Sequence, residues 1–165
     1  MNQAITQSVT QSVSDCITHS AEETIAFGRK LAGQLLPEKS AGLSPEDSSA
    51  RLVLLRGDLG AGKTTLVKGI AEGFGAALAE DVTSPTFTLM HEYRGPRATL
   101  FHIDLYRIDT EPELQTLGLD DLFGPNCILL VEWGEKFARL ERDRDVEISL
   151  ERVGETDRRI QVLAR

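Results

Sequence analysis

The chain has 165 residues, and its 18 Lys and Arg against 26 Asp and Glu give a formal net charge of -8. This length suits one folded domain, and the acidic balance argues against a module that binds nucleic acid by neutralising phosphates, since such modules are usually basic. Two cysteines are too few for a disulfide framework, and no run approaches the roughly 18 apolar residues of a membrane helix. With no signal-peptide pattern at the amino terminus, we expect a cytoplasmic protein with no membrane contact.

The amino-terminal segment is dominated by Gln, Ser and Thr and lacks Lys and Arg. This composition predicts a polar, disordered tail over residues 1–18, followed by a single folded domain over 19–165. Apolar residues that recur every four positions leave a weak amphipathic helix as the alternative. Ser20 and Glu23 form a capping-box pattern, which predicts a helix that starts there and ends at Pro37.

Residues 37–50 are rich in Ser, Pro and charged residues and predict a loop. The apolar run 52–55 after it is the best candidate for a central strand. A glycine-rich turn and the helix-like stretch 63–74 follow, so this part of the chain reads as strand, loop and helix.

The rest of the chain alternates short apolar runs with turns. Residues 87–93 and 99–103 predict two strands, with an antiparallel pair as one arrangement. A short helix over 111–117, a buried strand over 127–131 and a helix over 135–140 come next. Residues 146–150 and 159–163 predict a closing hairpin around Gly154. The order of elements predicts an α/β fold in three layers, with a mixed, largely parallel sheet between helices.

The glycine-rich turn satisfies the P-loop pattern G-x-x-x-x-G-K-[ST] and lies between a predicted strand and helix, as that motif requires. Its residues are Gly57, Asp58, Leu59, Gly60, Ala61, Gly62, Lys63, Thr64 and Thr65. The glycines let backbone N–H groups point inward beside a helix amino terminus, which suits a polyphosphate. Lys63 is expected on the β- and γ-phosphates and Thr64 in the coordination shell of Mg²⁺. A glycine-rich turn that binds nothing is the alternative.

Two apolar strands end in carboxylates, the first in Asp104 and the second in Glu132. Because such groups beside a P-loop hold the metal, we expect both side chains at the site; a solvated strand end is the alternative. His102 shares a strand face with Asp104 and reads as a ligand, a relay or a structural histidine, the last being favoured.

A hydroxyl-rich segment follows the P-loop helix and includes Thr83, Ser84 and Thr86. It stands where many P-loop proteins carry a switch that senses the γ-phosphate. A turn entering a strand is an equal alternative. Arg139, Arg142 and Arg144 suggest a kinase-like lid, but the acidic residues between them favour a solvated face.

Several motifs in series carry a resemblance to a known family. GDLGAGKTT, SPTFTL, FHIDLYR, LGLDDLF and ILLVEWGEKF occur in the order and spacing of the bacterial TsaE proteins. The similarity includes the segment SAEETIAFGRKLA and covers roughly residues 19–152. The resemblance implies one P-loop ATPase domain over residues 19–165.

The resemblance implies an ATP- and Mg²⁺-dependent ATPase of tRNA threonylcarbamoyladenosine (t6A) biosynthesis, acting with a TsaD–TsaB heterodimer to support multiple turnover. It implies that tRNA is met only through that complex. Carried onto this sequence, it makes Glu132 the acidic metal-site residue, Asp104 the Walker-B-like aspartate, and Trp133 the tryptophan beside the site. The segment that holds Ala21 and Thr24 lies where the family approaches adenine.

Two other functions stay open on the residues alone: a small metabolite kinase, and a nucleotide-gated interaction protein with little hydrolysis. A GTPase is disfavoured, because no N-K-x-D element follows the P-loop. Arg107 is a candidate arginine for the site in cis or for contact with a partner. We expect hydrolysis that is weak alone and stimulated by the partners.

Overall fold

A computed structural model describes residues 11–36 and 50–165 of the protein. The elements in chain order are β1 (Gln11–Thr18), α1 (Ala21–Leu35), β2 (Arg51–Arg56), α2 (Lys63–Gly73), β3 (Met90–Arg94), β4 (Thr99–Asp104), α3 (Glu111–Thr116), β5 (Cys127–Glu132), α4 (Ala138–Asp143), β6 (Val146–Arg152) and β7 (Arg158–Ala164). The seven strands in these ranges form one sheet in the order β1-β7-β6-β2-β5-β4-β3. Across these ranges, none of the helices is long and apolar enough to cross a membrane.

The sheet is mixed, as predicted, and its parallel part is the centre. β2 pairs in parallel with β5 and β6, and β5 pairs in parallel with β4. The three outer pairs, β3 with β4, β6 with β7 and β1 with β7, are antiparallel. Strands β2, β5 and β4 are buried on both faces, which explains why they are almost continuously apolar.

Helices cover both faces of the sheet, so the fold has the predicted three layers. On one face, Leu31 of α1 and Ile70 of α2 pack with Val53 and Leu55 of β2. On the other face, helix residues Leu114 and Leu140 pack with the alternate residues of the same strands, including Leu54 and Val131. The period of two along each buried strand therefore divides the core into two clusters.

Helices α1 and α2 contact each other through their backbones. A β-carbon built on Gly69 would lie 2.1 Å from the carbonyl oxygen of Ile25, and one on Gly28 would lie 2.6 Å from the carbonyl oxygen of Leu66. A β-carbon on Gly73 would lie 2.5 Å from the β-carbon of Ala32. Only glycine fits at these three crossing points.

The prediction of a disordered tail over residues 1–18 is wrong for its second half. Residues 11–18 form β1, an edge strand whose backbone pairs with β7 from Gln11 to Thr18. Asp15 also accepts two hydrogen bonds from Arg159, at 3.1 and 2.8 Å. The alternative of a helix is wrong for the same residues. A polar segment can form a strand with little apolar burial when its backbone hydrogen bonds are made with a neighbouring strand. The composition of the segment does not reveal that neighbour.

Residues 1–10, and 37–49 of the predicted loop, lie outside the described residues. The other elements are where the sequence predicts them, with two adjustments. Phe87 precedes β3 and is 79% exposed, so this strand starts three residues later than predicted. The helix predicted over 135–140 is a 3₁₀ turn at Gly134–Lys136 followed by α4.

The glycine crossing gives a stability prediction with a matched control. Gly69→Ala should lower the free energy of unfolding by at least about 2 kcal/mol, because the new methyl group overlaps a backbone carbonyl. Gly33→Ala, in α1 with no atom within 4 Å of its added β-carbon, should raise it by about 0.5–1 kcal/mol through helix propensity. Urea denaturation of both variants is the measurement. A neutral Gly69→Ala would contradict the backbone contact between α1 and α2.

Candidate functional site

The carboxyl ends of three neighbouring parallel strands meet at the site. Leu55 of β2 is paired with Glu132 of β5, and Glu132 is paired with Asp104 of β4. The P-loop begins directly after β2 and leads into α2. Side-chain alternation turns both carboxylates toward the face covered by α1 and α2, because the preceding residues Ile103 and Val131 pack on the other face.

The P-loop has the backbone shape that its glycines predict. Gly57, Gly60 and Gly62 have positive φ angles of 153°, 80° and 102°. Lys63 is only 7% exposed, and its ammonium group donates to the carbonyl oxygens of Gly57 and Asp58. The lysine thus spans the loop from the first turn of α2, where its charge adds to that of the helix amino terminus.

A pocket of about 310 Å³ adjoins this loop. It brings together residues from the P-loop, the hydroxyl-rich segment and both strand ends. Its lining consists of Leu59, Gly60, Gly62, Lys63, Thr64, Thr65, Ser84, Thr86, Asp104, Glu132, Trp133 and Arg158. Most site residues predicted from the sequence therefore share one cavity.

Asp104 is held in a fixed orientation at the wall of this pocket. Thr86 donates to its Oδ2 at 2.7 Å, and the backbone N–H of Tyr106 donates to Oδ1 at 2.9 Å. Ser84 lies 2.9 Å from the Thr86 hydroxyl, so the predicted switch segment is linked directly to the carboxylate. Asp104 is 4% exposed, which strengthens these electrostatic contacts.

Glu132 is buried with His102 behind it. The His102 Nε2 atom lies 3.3 Å from Glu132 Oε2, and the histidine is completely buried. Its Nδ1 atom has no hydrogen-bond partner among the described residues. His102 does not line the pocket, and its contact with the site is through Glu132.

Trp133 forms an aromatic wall of the pocket. It has a left-handed backbone with φ 61°, and its ring lies 4.8 Å from the Lys63 ammonium and 5.2 Å from the Tyr106 ring. Lys136 donates to the carbonyl oxygens of Leu105 and Tyr106, which fixes the loop that carries Tyr106. The tryptophan is thus packed against the cation that the P-loop supplies.

Some predicted residues lie away from this pocket. Thr24 is buried, and its hydroxyl contacts Thr18 at 2.7 Å and donates to the Ser20 carbonyl oxygen. Ala21 is exposed at the start of α1, and Thr83 is exposed before β3. Asp58 and Ala61 line a second pocket of about 440 Å³, between the P-loop and the end of β6. That larger pocket contains neither Lys63 nor the two carboxylates, so the charged groups of the candidate site belong to the smaller one.

The arginines singled out from the sequence do not reach the pocket. The guanidinium of Arg107 lies 4.2 Å from the centre of the exposed Phe87 ring. Arg139, Arg142 and Arg144 form ion pairs with Asp120, Asp143 and Glu141, respectively. The cluster is therefore a solvated, ion-paired face, as the sequence favours.

Arg158 is the pocket residue that sequence reasoning missed. It begins β7, one residue before the predicted strand, and the tertiary approach of the β6–β7 hairpin to the P-loop brings it to the site. In the sequence, Arg158 stands beside the predicted hairpin turn. Nothing in the local sequence indicates that this hairpin packs near the P-loop.

The donor set fits a hard divalent cation. Thr64 supplies a hydroxyl and Asp104 and Glu132 supply carboxylates, all oxygen ligands of the kind that Mg²⁺ prefers. Among the described residues, no group of three or more His, Cys, Asp or Glu forms a complete metal cage. This suits Mg²⁺, which usually binds through one or two carboxylates together with substrate phosphates and water.

A loop of this sequence and backbone shape, set between a central strand and a helix, places the chain in the P-loop class of nucleotide-binding folds. Comparison with known proteins gives the particular family. The chain belongs to the TsaE family, because the profile described as "Threonylcarbamoyl adenosine biosynthesis protein TsaE" matches residues 18–160. The family takes part in t6A biosynthesis on tRNA.

Individual relatives agree with this assignment. A tRNA threonylcarbamoyladenosine biosynthesis protein TsaE from Treponema pallidum is 37% identical over 147 residues, covering 89% of this chain and 98% of that protein. The protein of the same name from Haemophilus influenzae is 36% identical, covering 86% and 83%. A crystal structure of YdiB from Bacillus subtilis superposes with a TM-score of 0.65 at 30% identity, covering 96% of this chain and 88% of that one.

An ion pair beside the site gives a pH prediction. His19 lies 3.0 Å from Asp157, and this hydrogen bond raises the pKa of His19 above its usual value. Because the folded-state pKa is raised, the stabilisation is complete below the unfolded-state pKa and is lost as pH rises through the folded-state value. NMR titration should therefore show a raised pKa for His19 that Asp157→Asn returns toward about 6.5. Asp143→Asn, at a distant ion pair, is the control, and an unchanged His19 pKa in Asp157→Asn would contradict the assignment.

Proposed function

We propose that the protein is the ATP-binding and ATP-hydrolysing component of the t6A machinery and acts with a TsaD–TsaB heterodimer to support multiple turnover. The observation that carries this proposal is the single pocket in which Lys63, Asp104 and Glu132 converge beside the P-loop. Membership of the TsaE family supplies the pathway. This activity is cytoplasmic, and the protein contacts tRNA only indirectly, through the complex.

Each part of the pocket has a proposed role in this activity. The backbone N–H groups of residues 57–65 and the Lys63 ammonium bind the phosphate chain and offset its charge. Thr64, Asp104 and Glu132 hold Mg²⁺, which would supply positive charge at the phosphate oxygens. Lys63, Asp104 and Glu132 are thus the residues on which hydrolysis depends.

The switch segment provides a way to orient water. Thr86 already donates to Asp104, and Ser84 lies next to it, so two hydroxyl groups face the pocket beside a fixed carboxylate. Thr83 contributes the backbone at the start of this segment. The hydrogen bond from Thr86 to Asp104 links the position of this segment to the carboxylate of the site.

The base is proposed to lie toward the amino end of α1, beside Ala21. Thr24 is buried in the first turn of α1, and its hydroxyl is used within the protein. Trp133 lines the pocket next to Lys63.

Exposed apolar side chains on or next to the pocket lining favour a protein partner. Leu59 lines the pocket, Phe87 follows the lining residue Thr86, and Tyr106 contacts the lining residue Trp133. They are 68%, 79% and 46% exposed, and exposed large apolar residues commonly mark protein interfaces. These residues also suit a nucleotide-gated interaction protein, the second candidate function. A metabolite kinase is less well supported, because the candidate lid arginines are engaged in ion pairs.

Measurement of phosphate release from ATP tests the proposal. We expect a low rate for the protein alone and a higher rate when the TsaD–TsaB heterodimer is added. Lys63→Ala should lower both rates by at least about 100-fold, because it removes a positive charge from the phosphate site. Lys68→Ala, elsewhere on α2, is the matched control and should hydrolyse ATP normally.

Equal rates with and without the heterodimer would refute the partnership. Unchanged turnover by Lys63→Ala would refute the P-loop assignment. Appearance of labelled γ-phosphate on a small molecule, rather than as free phosphate, would favour the kinase.

The metal assignment gives a separate prediction. Glu132→Gln and Asp104→Asn should each raise the Mg²⁺ concentration for half-maximal hydrolysis by about tenfold or more, because each removes a charged ligand. Asp109→Asn, an exposed carboxylate paired with Lys136, is the control. A variant that lowers the maximal rate without changing the Mg²⁺ dependence would remove that residue from the metal site.

A further inference from the structure

Arg158 is a cation of the P-loop pocket to which the proposed hydrolysis assigns no role. It is half-buried and lines the cavity with Lys63, Thr64 and Thr65. Its Nε atom lies 3.6 Å from the position of a β-carbon built on Gly62, and its Nη2 atom lies 3.5 Å from the carbonyl oxygen of Gly60. The guanidinium therefore lies against the second half of the P-loop, whereas Lys63 bonds the first half.

The charge of Arg158 is not neutralised by a carboxylate. In the described part of the chain, its hydrogen bonds go only to the carbonyl oxygens of Gly60, Glu155 and Asp157. The neighbouring Arg159 is different, because it is paired with Asp15. A guanidinium that donates to carbonyl oxygens on one side keeps other N–H donors for an anion. The planar guanidinium group of Arg recognises phosphate well.

Both chain neighbours of Arg158 are anchored to the amino-terminal segment. Asp157 contacts His19, which lies between β1 and α1, and Arg159 contacts Asp15 of β1. Alternation along β7 turns Arg158 to the same face as the buried Ile160, toward α1 and α2. The two ion pairs thus fix the backbone on either side of the arginine while its side chain faces the pocket.

The protein's own charges in the pocket, without Arg158, do not sum to a positive value. Lys63 is matched against two buried carboxylates, Asp104 and Glu132, so these three groups sum to one negative charge. A polyphosphate adds several more. Arg158 brings the protein's own contribution to neutrality and places positive charge on the side of the loop away from Glu132 and its partner His102.

We propose that Arg158 is a second phosphate-binding residue, which contacts the phosphate chain of a nucleoside polyphosphate on the Gly60–Gly62 side of the P-loop. This inference rests on the proposed nucleotide binding and extends it. The ion pairs of β1 and of the β1–α1 turn position the arginine. The edge strand β1 therefore supports the site without lining the pocket.

Binding measurements test this role without requiring hydrolysis. Dissociation constants for ATP and for inorganic tripolyphosphate are measured with Mg²⁺ by displacement of a fluorescent ADP analogue. Arg158→Gln should weaken both ligands by about tenfold or more and by similar factors, because a charge-assisted hydrogen bond to phosphate is lost. Arg158→Lys should be intermediate, since it keeps the charge without the planar fork.

Arg152→Gln is the matched control. Arg152 is paired with Arg158 across the hairpin and also donates to a backbone carbonyl, but it does not line the Lys63 pocket. Its affinities should stay within twofold of the wild type. If the melting temperature of Arg158→Gln is well below that of the wild type, the same affinities are measured for Arg158→Met, a second neutral variant that keeps the aliphatic stem.

Two outcomes would overturn the inference. The first is a folded, neutral variant whose ATP affinity stays within twofold of the wild type while Lys63→Ala loses binding. The second is a loss confined to ATP, with normal affinity for tripolyphosphate, which would assign Arg158 to the base or ribose. A wild-type protein that binds ATP without hydrolysing it would refute only the ATPase, whereas one that binds neither ligand would refute both proposals.

Discussion

The parallel alignment of β2, β5 and β4 is the constraint on which the site depends. Parallel strands end at the same edge of a sheet, so the residue after each buried run arrives at one place. Here that edge receives the P-loop from β2, Glu132 from β5 and Asp104 from β4. A shift of one residue in either pairing would point a carboxylate toward the opposite face of the sheet, into the hydrophobic core cluster there.

The amino-terminal part of the chain holds this edge in place from outside. Glycines let α1 approach α2 until their backbones touch, which fixes the helix whose first turn carries Lys63. β1 then extends the sheet past β7 and pairs with the hairpin beside the P-loop. The polar segment that forms β1 thus has a structural role that comes from its backbone and its ion pairs.

Local patterns in the sequence were sufficient for much of the fold and the site. The P-loop, the apolar strands that end in Asp104 and Glu132, and the closing hairpin are each encoded within about ten residues, so periodicity and motif spacing predict them. β1 and Arg158 depend on pairing between residues more than 140 positions apart, as with Asp15 and Arg159. Composition could not reveal such pairing. Arg107, predicted to serve the site in cis or to contact a partner, lies against the exposed Phe87 ring and is not among the residues that line the pocket.

Trp133 is the only tryptophan of the chain, and its ring lies beside the Lys63 ammonium at the wall of the pocket. An indole ring is sensitive to nearby charge and to solvent. A phosphate that draws Lys63 away from the ring would alter both. The tryptophan fluorescence of the unlabelled protein therefore comes from one position, at the place where a ligand is expected, and reports changes in the pocket without any added probe.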